Sequence, residues 1–131
     1  MNVEDFLRTH PRKPANADVI AACVKACFGC LESCTFCADA CLGEGRVEEM
    51  RRCIRLDLDC AAVCLATGQI AARQTETDRD LLRAQLQACA TACRICAEEC
   101  QRHAGKHEHC RLCAESCRLC ERACNDLIAA L

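Results

Sequence analysis

Cysteine recurs at gaps of four, three, four, three and four in "CVKACFGCLESCTFCADAC", which carries Cys23, Cys27, Cys30, Cys34, Cys37 and Cys41. The interval returns in Cys89, Cys93, Cys96 and Cys100, and again in Cys110, Cys113, Cys117, Cys120 and Cys124. A sparser run, Cys53, Cys60 and Cys64, keeps the register, with Asp57 where a cysteine is missing. Thiolates are soft ligands and select Cu(I), zinc or iron–sulfur clusters. Zinc wants four ligands converging from tight turns, and these CxxC pairs lack the Gly-rich turns of a knuckle. The iron–sulfur signature C-x2-C-x2-C-x3-C-P is absent, and a thioredoxin-like CxxC needs a strand pattern that the chain does not have. Cu(I) accepts two or three thiolates. Residues four apart on a helix have Cβ atoms roughly 5–6 Å apart, close enough for their sulfurs to share one such ion.

Gaps of three and four place residues on one stripe of an α-helix. Outside the stripe lie charges and helix formers, such as Lys25, Glu32 and Asp39 at seven-residue steps. Each cysteine run is therefore an amphipathic helix whose buried face is sulfur. Boundary signals predict four such helices. The first is capped by Asn16 and ended by Gly43 and Gly45; the second runs from near Arg46 to about Arg73. Thr77 caps the third, with Asp78 and Asp80 suited to the helix dipole, and Gly105 closes it. The fourth runs from about His107 almost to Leu131. Short links between long helices predict an all-α, antiparallel up-down-up-down four-helix bundle over residues 16–131. Residues 1–15 form an extension in which "NVEDFLRTH" is a short helix ended by Pro11 and Pro14 and packed on the outside.

Eighteen cysteines in 131 residues, with no Tyr or Trp and three Phe, mean that sulfur takes the place of a conventional aromatic core. A net charge of -2 with mixed surface signs argues against nucleic acid as a partner. No export signal and no membrane span are read in the sequence, so a cytoplasmic setting with reduced thiols is expected over a disulfide scaffold. A plain coiled coil would use Leu, Ile and Val along the seam, because they bury more apolar area. Here those residues form second stripes, Val24, Phe28 and Leu31 on the first helix and Ile54, Leu58 and Leu65 on the second. These pack neighbouring helices or bury a subunit interface.

Charge balance favours Cu(I) further, because bare buried thiolates each cost several kcal/mol without a partner. About one Cu(I) per cysteine leaves the core near neutral, and protonated thiols let the empty bundle stay folded. Binding then releases protons. One end of the bundle gathers Cys41, Met50, Cys100, His103, His107 and Cys110, and the other is plugged by Ile20, Ile70, Leu82, Leu86, Leu127 and Ile128. Copper entry is expected at the His/Met end, with His103, His107 and Met50 as weaker, transferable ligands. His10 and His109 are read as solvated residues, and Asp57, a poor Cu(I) ligand, as a hydrogen-bonding or occasional coordinating group in the thiol wall. No nucleophile–base pair or phosphate-binding loop is present, so a binding protein is expected and not an enzyme.

The repeated CxxxCxxC units and the stretch "HAGKHEHC" before Cys110 resemble the bacterial copper storage proteins, in their cytosolic branch. That resemblance spans Cys23 to Cys124. It implies a homotetramer of four-helix bundles, each holding many Cu(I) ions along its axis, with histidines at the open mouth. A copper donor and acceptor are the implied partners. The alternative functions are a metallothionein-like sink for zinc or cadmium and an iron–sulfur electron-transfer protein.

Overall fold

The computed structural model describes residues 2–131. A short helix α1 (Val3–Thr9) precedes four long ones, α2 (Ala17–Leu42), α3 (Arg51–Ala72), α4 (Arg79–His103) and α5 (Glu108–Ala130). Among the described residues there is no strand. At 26 residues, α2 is about 39 Å long, which sets the length of the bundle.

Each long helix packs on its neighbours in the chain: α2 on α3, α3 on α4, α4 on α5, and α5 back on α2. This closed ring is the expected up-down-up-down bundle, and the stripes read from the sequence all face its axis. Every one of the eighteen cysteines is buried and free. One end is closed by Ile20, Leu82, Leu86 and Leu127, all buried, with Ile70 and Ile128 half-buried against them. Buried Thr67 sits at this end too; its hydroxyl donates to the Val63 carbonyl and accepts from Gln85 Nε2 at 2.9 Å. The two N-terminal helices are tied by Leu7, which is buried, and by an ion pair from Lys25 of α2 to Glu4 of α1.

Several boundaries differ from expectation for local reasons. Asp78, not Thr77, caps α4, its carboxylate accepting from the Leu81 amide at 2.9 Å. A carboxylate is the better partner for free amides at a positive helix end. Thr77 instead donates back to the Arg73 carbonyl. Asn16 makes no side-chain cap; its amide donates to the Ala130 carbonyl and ties the two chain ends together. The stretch expected to open the second helix is a separate 3-10 turn, Val47–Met50, and α3 proper starts at Arg51.

The second stripes divide. Val24 is buried, and Phe28, Leu31 and Ile54 pack against the core, whereas Leu58 and Leu65 are exposed. Phe28 lies so close to Gly68 that a Cβ there would meet the ring at 2.8 Å, and the missing side chain lets α2 and α3 approach. Contrary to the sequence expectation, α2 is long and apolar enough to cross a bilayer. Its apolarity comes largely from cysteines and alanines, and the bundle buries its cysteine stripe.

Candidate metal centre

Helical spacing puts the cysteines of each helix on the inner face, and the ring of helices brings four such stripes together. The sulfurs meet across helices as well as along them. Cys30 Sγ lies 3.8 Å from Cys34, 3.8 Å from Cys60 and 3.7 Å from Cys117. Cys60 and Cys64 are each 3.8 Å from Cys93. Ligand sets of four emerge, the donor atoms of each lying within 4.8 Å of one another: Cys27, Cys89, Cys120 and Cys124; Cys30, Cys64, Cys93 and Cys120; Cys30, Cys34, Cys60 and Cys117; Cys34, Cys96, Cys113 and Cys117. Neighbouring sets share members. Cys120 belongs to the first two, Cys30 to the second and third, and Cys34 and Cys117 to the third and fourth. The wall is one continuous column of sulfur rather than a row of separate sites.

That overlap bears on the chemistry. With metal–sulfur bonds of about 2.3 Å, three thiolates around one ion sit about 4.0 Å apart and two in line about 4.6 Å apart. The observed spacing of 3.7 to 4.0 Å already suits three-coordination and needs less than an ångström of opening for a linear pair. A tetrahedral ion also fits one set by distance, and adjoining tetrahedral ions would have to bridge through the shared sulfurs. Sulfurs in contact leave no room for a cluster carrying its own sulfide.

Protons are unevenly held in the wall. Hydrogen bonds among the thiols push Cys34 and Cys93 up and Cys30 and Cys113 down from the ordinary thiol range. Cys23, bonded to Cys124 and Cys27, falls to about 5. Burial pushes Cys41 up to about 12. Asp57 is fully buried within this wall. Its Oδ1 accepts from Cys96 at 3.1 Å, Cys113 at 3.3 Å and Cys100 at 3.5 Å, and its Oδ2 from Cys53 at 3.9 Å. Burial, followed by the negative charge of Cys113 and Cys53, pushes its carboxyl up to about 8.

The open end is built differently. Met50 is buried in the 3-10 turn. His103 turns its Nε2 to Glu99 Oε2 at 2.9 Å, and Glu99, itself nearly buried, also meets Arg52 at 3.5 Å and Arg102 at 3.6 Å. His107 Nδ1 lies 3.0 Å from Glu44 Oε2. The histidine that reaches sulfur is His109, which the sequence left to solvent. Its Nδ1 lies 3.5 Å from Cys37 Sγ and 3.6 Å from Cys110 Sγ, completing a set with Cys41. The signal was available: His109 precedes Cys113 by four residues and so continues the α5 stripe. Its closeness to the chain turn at Lys106 hid that register. The partnering of Glu44 and Glu99 left no trace in the cysteine pattern.

The copper storage protein family matches residues 16–129 of the chain. A copper storage protein of Streptomyces lividans, loaded with 10 copper equivalents, shares 51% identity and superposes with a TM-score of 0.96 over 99% of this chain and 100% of its own. A cytosolic copper storage protein from the same organism, carrying five coppers, is 54% identical with a TM-score of 0.86 over 87% of this chain and 95% of its own. The cysteine-rich protein YhjQ of Bacillus subtilis is 34% identical over 108 residues, 82% of this chain and 94% of its own length. With a bundle of this topology and a wall of this composition, the chain belongs to the copper storage protein family.

Proposed function

We propose that this protein is a cytosolic, high-capacity Cu(I) store that takes up about one ion per cysteine. The observation that carries this reading is the continuous sulfur column, in which neighbouring ligand sets share Cys120, Cys30, Cys34 and Cys117. Shared thiolates bridge ions, and one Cu(I) per thiolate leaves the buried column near neutral, avoiding the cost of unpaired buried charge. A zinc or cadmium sink of four-thiolate sites would leave negative charge along the buried axis, -2 for an unshared site and less where thiolates bridge. The eighteen cysteines are the storage ligands. Copper enters at the open end, where imidazole and thioether groups (His103, His107, His109, Met50) are gathered and the opposite end is sealed with aliphatic side chains. Loading displaces thiol protons, so uptake weakens as the solution is acidified. The cytosolic setting is supported by the Streptomyces relative described as cytosolic.

The assembly is a homotetramer in this reading. Leu58 and Leu65 on α3, and Leu112 and Leu119 on α5, are exposed leucine pairs seven residues apart. Because α3 and α5 are diagonal in the ring, each chain presents two separate apolar stripes, as an assembly with more than one interface requires. A small donor or acceptor molecule exchanges copper at the mouth, and no catalytic step is needed.

Anaerobic titration of the reduced protein with Cu(I), against a chromophoric Cu(I) chelator, tests the reading. Tight uptake approaching the number of cysteines supports it. Saturation after one or two ions, or tighter retention of zinc than of Cu(I), sinks it.

A further inference from the structure

Glu44 sits in the turn between α2 and the 3-10 turn, flanked by Gly43 and Gly45. Its amide donates to the Cys41 carbonyl at 3.2 Å, fixing it to one member of the His109 ligand set. Its Oε2 faces His109 Nε2 at 2.9 Å and His107 Nδ1 at 3.0 Å. The His109 contact is a hydrogen bond and a carboxylate only accepts, so His109 Nε2 carries the hydrogen. In a neutral imidazole the other nitrogen then holds the lone pair. For His109 that nitrogen is Nδ1, the atom 3.5 Å from Cys37 Sγ and 3.6 Å from Cys110 Sγ.

We propose that Glu44 is a positioning residue of the copper mouth: it holds His109 as the Nε2–H tautomer, with the Nδ1 lone pair aimed into the set formed with Cys37, Cys41 and Cys110. The inference rests on the storage reading and adds to it the group that prepares the first nitrogen ligand. Metal-binding histidines depend on such a partner on their second nitrogen, which fixes both the ring orientation and the site of the lone pair. The same carboxylate ties His107 to His109, the two ring centroids lying 5.6 Å apart. One side chain of the α2–α3 connection thus organises two histidines at the start of α5.

Long-range proton–nitrogen NMR of the reduced, metal-free full chain, labelled with 15N-histidine, reads the tautomer directly. The expected result is His109 as Nε2–H in the native protein and in Glu44→Gln, whose amide oxygen still accepts. Glu44→Ala is expected to shift His109 toward Nδ1–H. Uptake of the first Cu(I) equivalents from the chromophoric chelator is expected to slow about 10-fold in Glu44→Ala and to recover in Glu44→Gln. Final capacity is expected to stay unchanged in both variants. A native His109 that is Nδ1–H or doubly protonated overturns the proposal. So does a Glu44→Ala protein with native tautomer or native uptake rate. The storage reading is tested separately by the native protein's total capacity, because the tautomer is read without copper.

Discussion

The two ends of the bundle are built by opposite means. At one end Ile20, Leu82, Leu86 and Leu127 close the sulfur column with aliphatic side chains that need no partners. At the other, His103, Arg52 and Arg102 gather on Glu99, and His107 and His109 on Glu44, through hydrogen bonds and ion pairs close to water. The aliphatic end keeps its shape because burial is non-directional and persistent. The polar end depends on geometry and charge, can exchange its contacts with water, and offers nitrogen donors to an arriving soft cation. An apolar seal and a polar mouth thus lie at opposite ends of one axis, with the thiol wall between them.

The largest effect that sharpens this contrast is expected at the closed end. Leu86→Ala removes a fully buried side chain and costs about 2–5 kcal/mol in chemical denaturation of the metal-free protein. If copper enters at the other end, as proposed, the first Cu(I) equivalents should still enter at the native rate, measured against a chromophoric chelator. A faster uptake in this variant would show copper entering through the aliphatic end and would break the comparison.

Asp57 lies between the ends and is the next most sensitive position. Its carboxyl has a pKa of about 8 when folded, against 3.8 ordinarily, so the folded state holds the proton more tightly. Its contribution to stability is fully present below about pH 4 and is lost as pH rises through about 8. Asp57→Asn, which cannot ionise, avoids that loss. The metal-free variant is expected to match the native protein near pH 4 and to exceed it by about 2 kcal/mol or more at pH 7. Denaturant melts across this range check the sign, and a variant less stable at pH 7 than at pH 4 relative to native contradicts it.

Effects at the polar end are smaller. Glu99→Ala leaves His103, Arg52 and Arg102 without their shared acceptor, but both arginines are largely exposed. A stability loss of about 1 kcal/mol is expected, most of it disappearing in high salt. An equal loss at low and high salt would show packing, not charge, to be what Glu99 supplies. The smallest change is expected at Gly68→Ala. The added methyl must displace the half-buried Phe28 ring, which can swing outward, and better helix propensity offsets part of the cost. Thermal melting should register a loss of about 1 kcal/mol or less.

The legible part of this protein was legible because it is periodic. Cys23 to Cys41 repeat at helical spacing, so the stripe, its burial and the bundle follow from one rule applied four times. The aliphatic plug was readable for the same reason, since Leu82, Leu86 and Leu127 continue the stripes. Where periodicity stops, reading weakened. Asp78 and Thr77 are adjacent and both can cap, and only the actual helix start selects between them. His103 and His107 continue the α4 stripe in sequence, yet the chain leaves the helix after His103, and their rings turn to Glu99 and Glu44 instead of to sulfur.

By itself the sequence determined that the interior is sulfur, that it lies on helices, and that the ligands suit a soft metal ion. Those conclusions need only residue type and spacing along one helix. Only the tertiary structure decided that neighbouring ligand sets share Cys30, Cys34, Cys117 and Cys120, because sharing depends on sulfurs from three or four helices meeting at one height. It also decided that His109 faces the thiols and that Glu44 holds it there, since a contact across 65 residues has no period to reveal it.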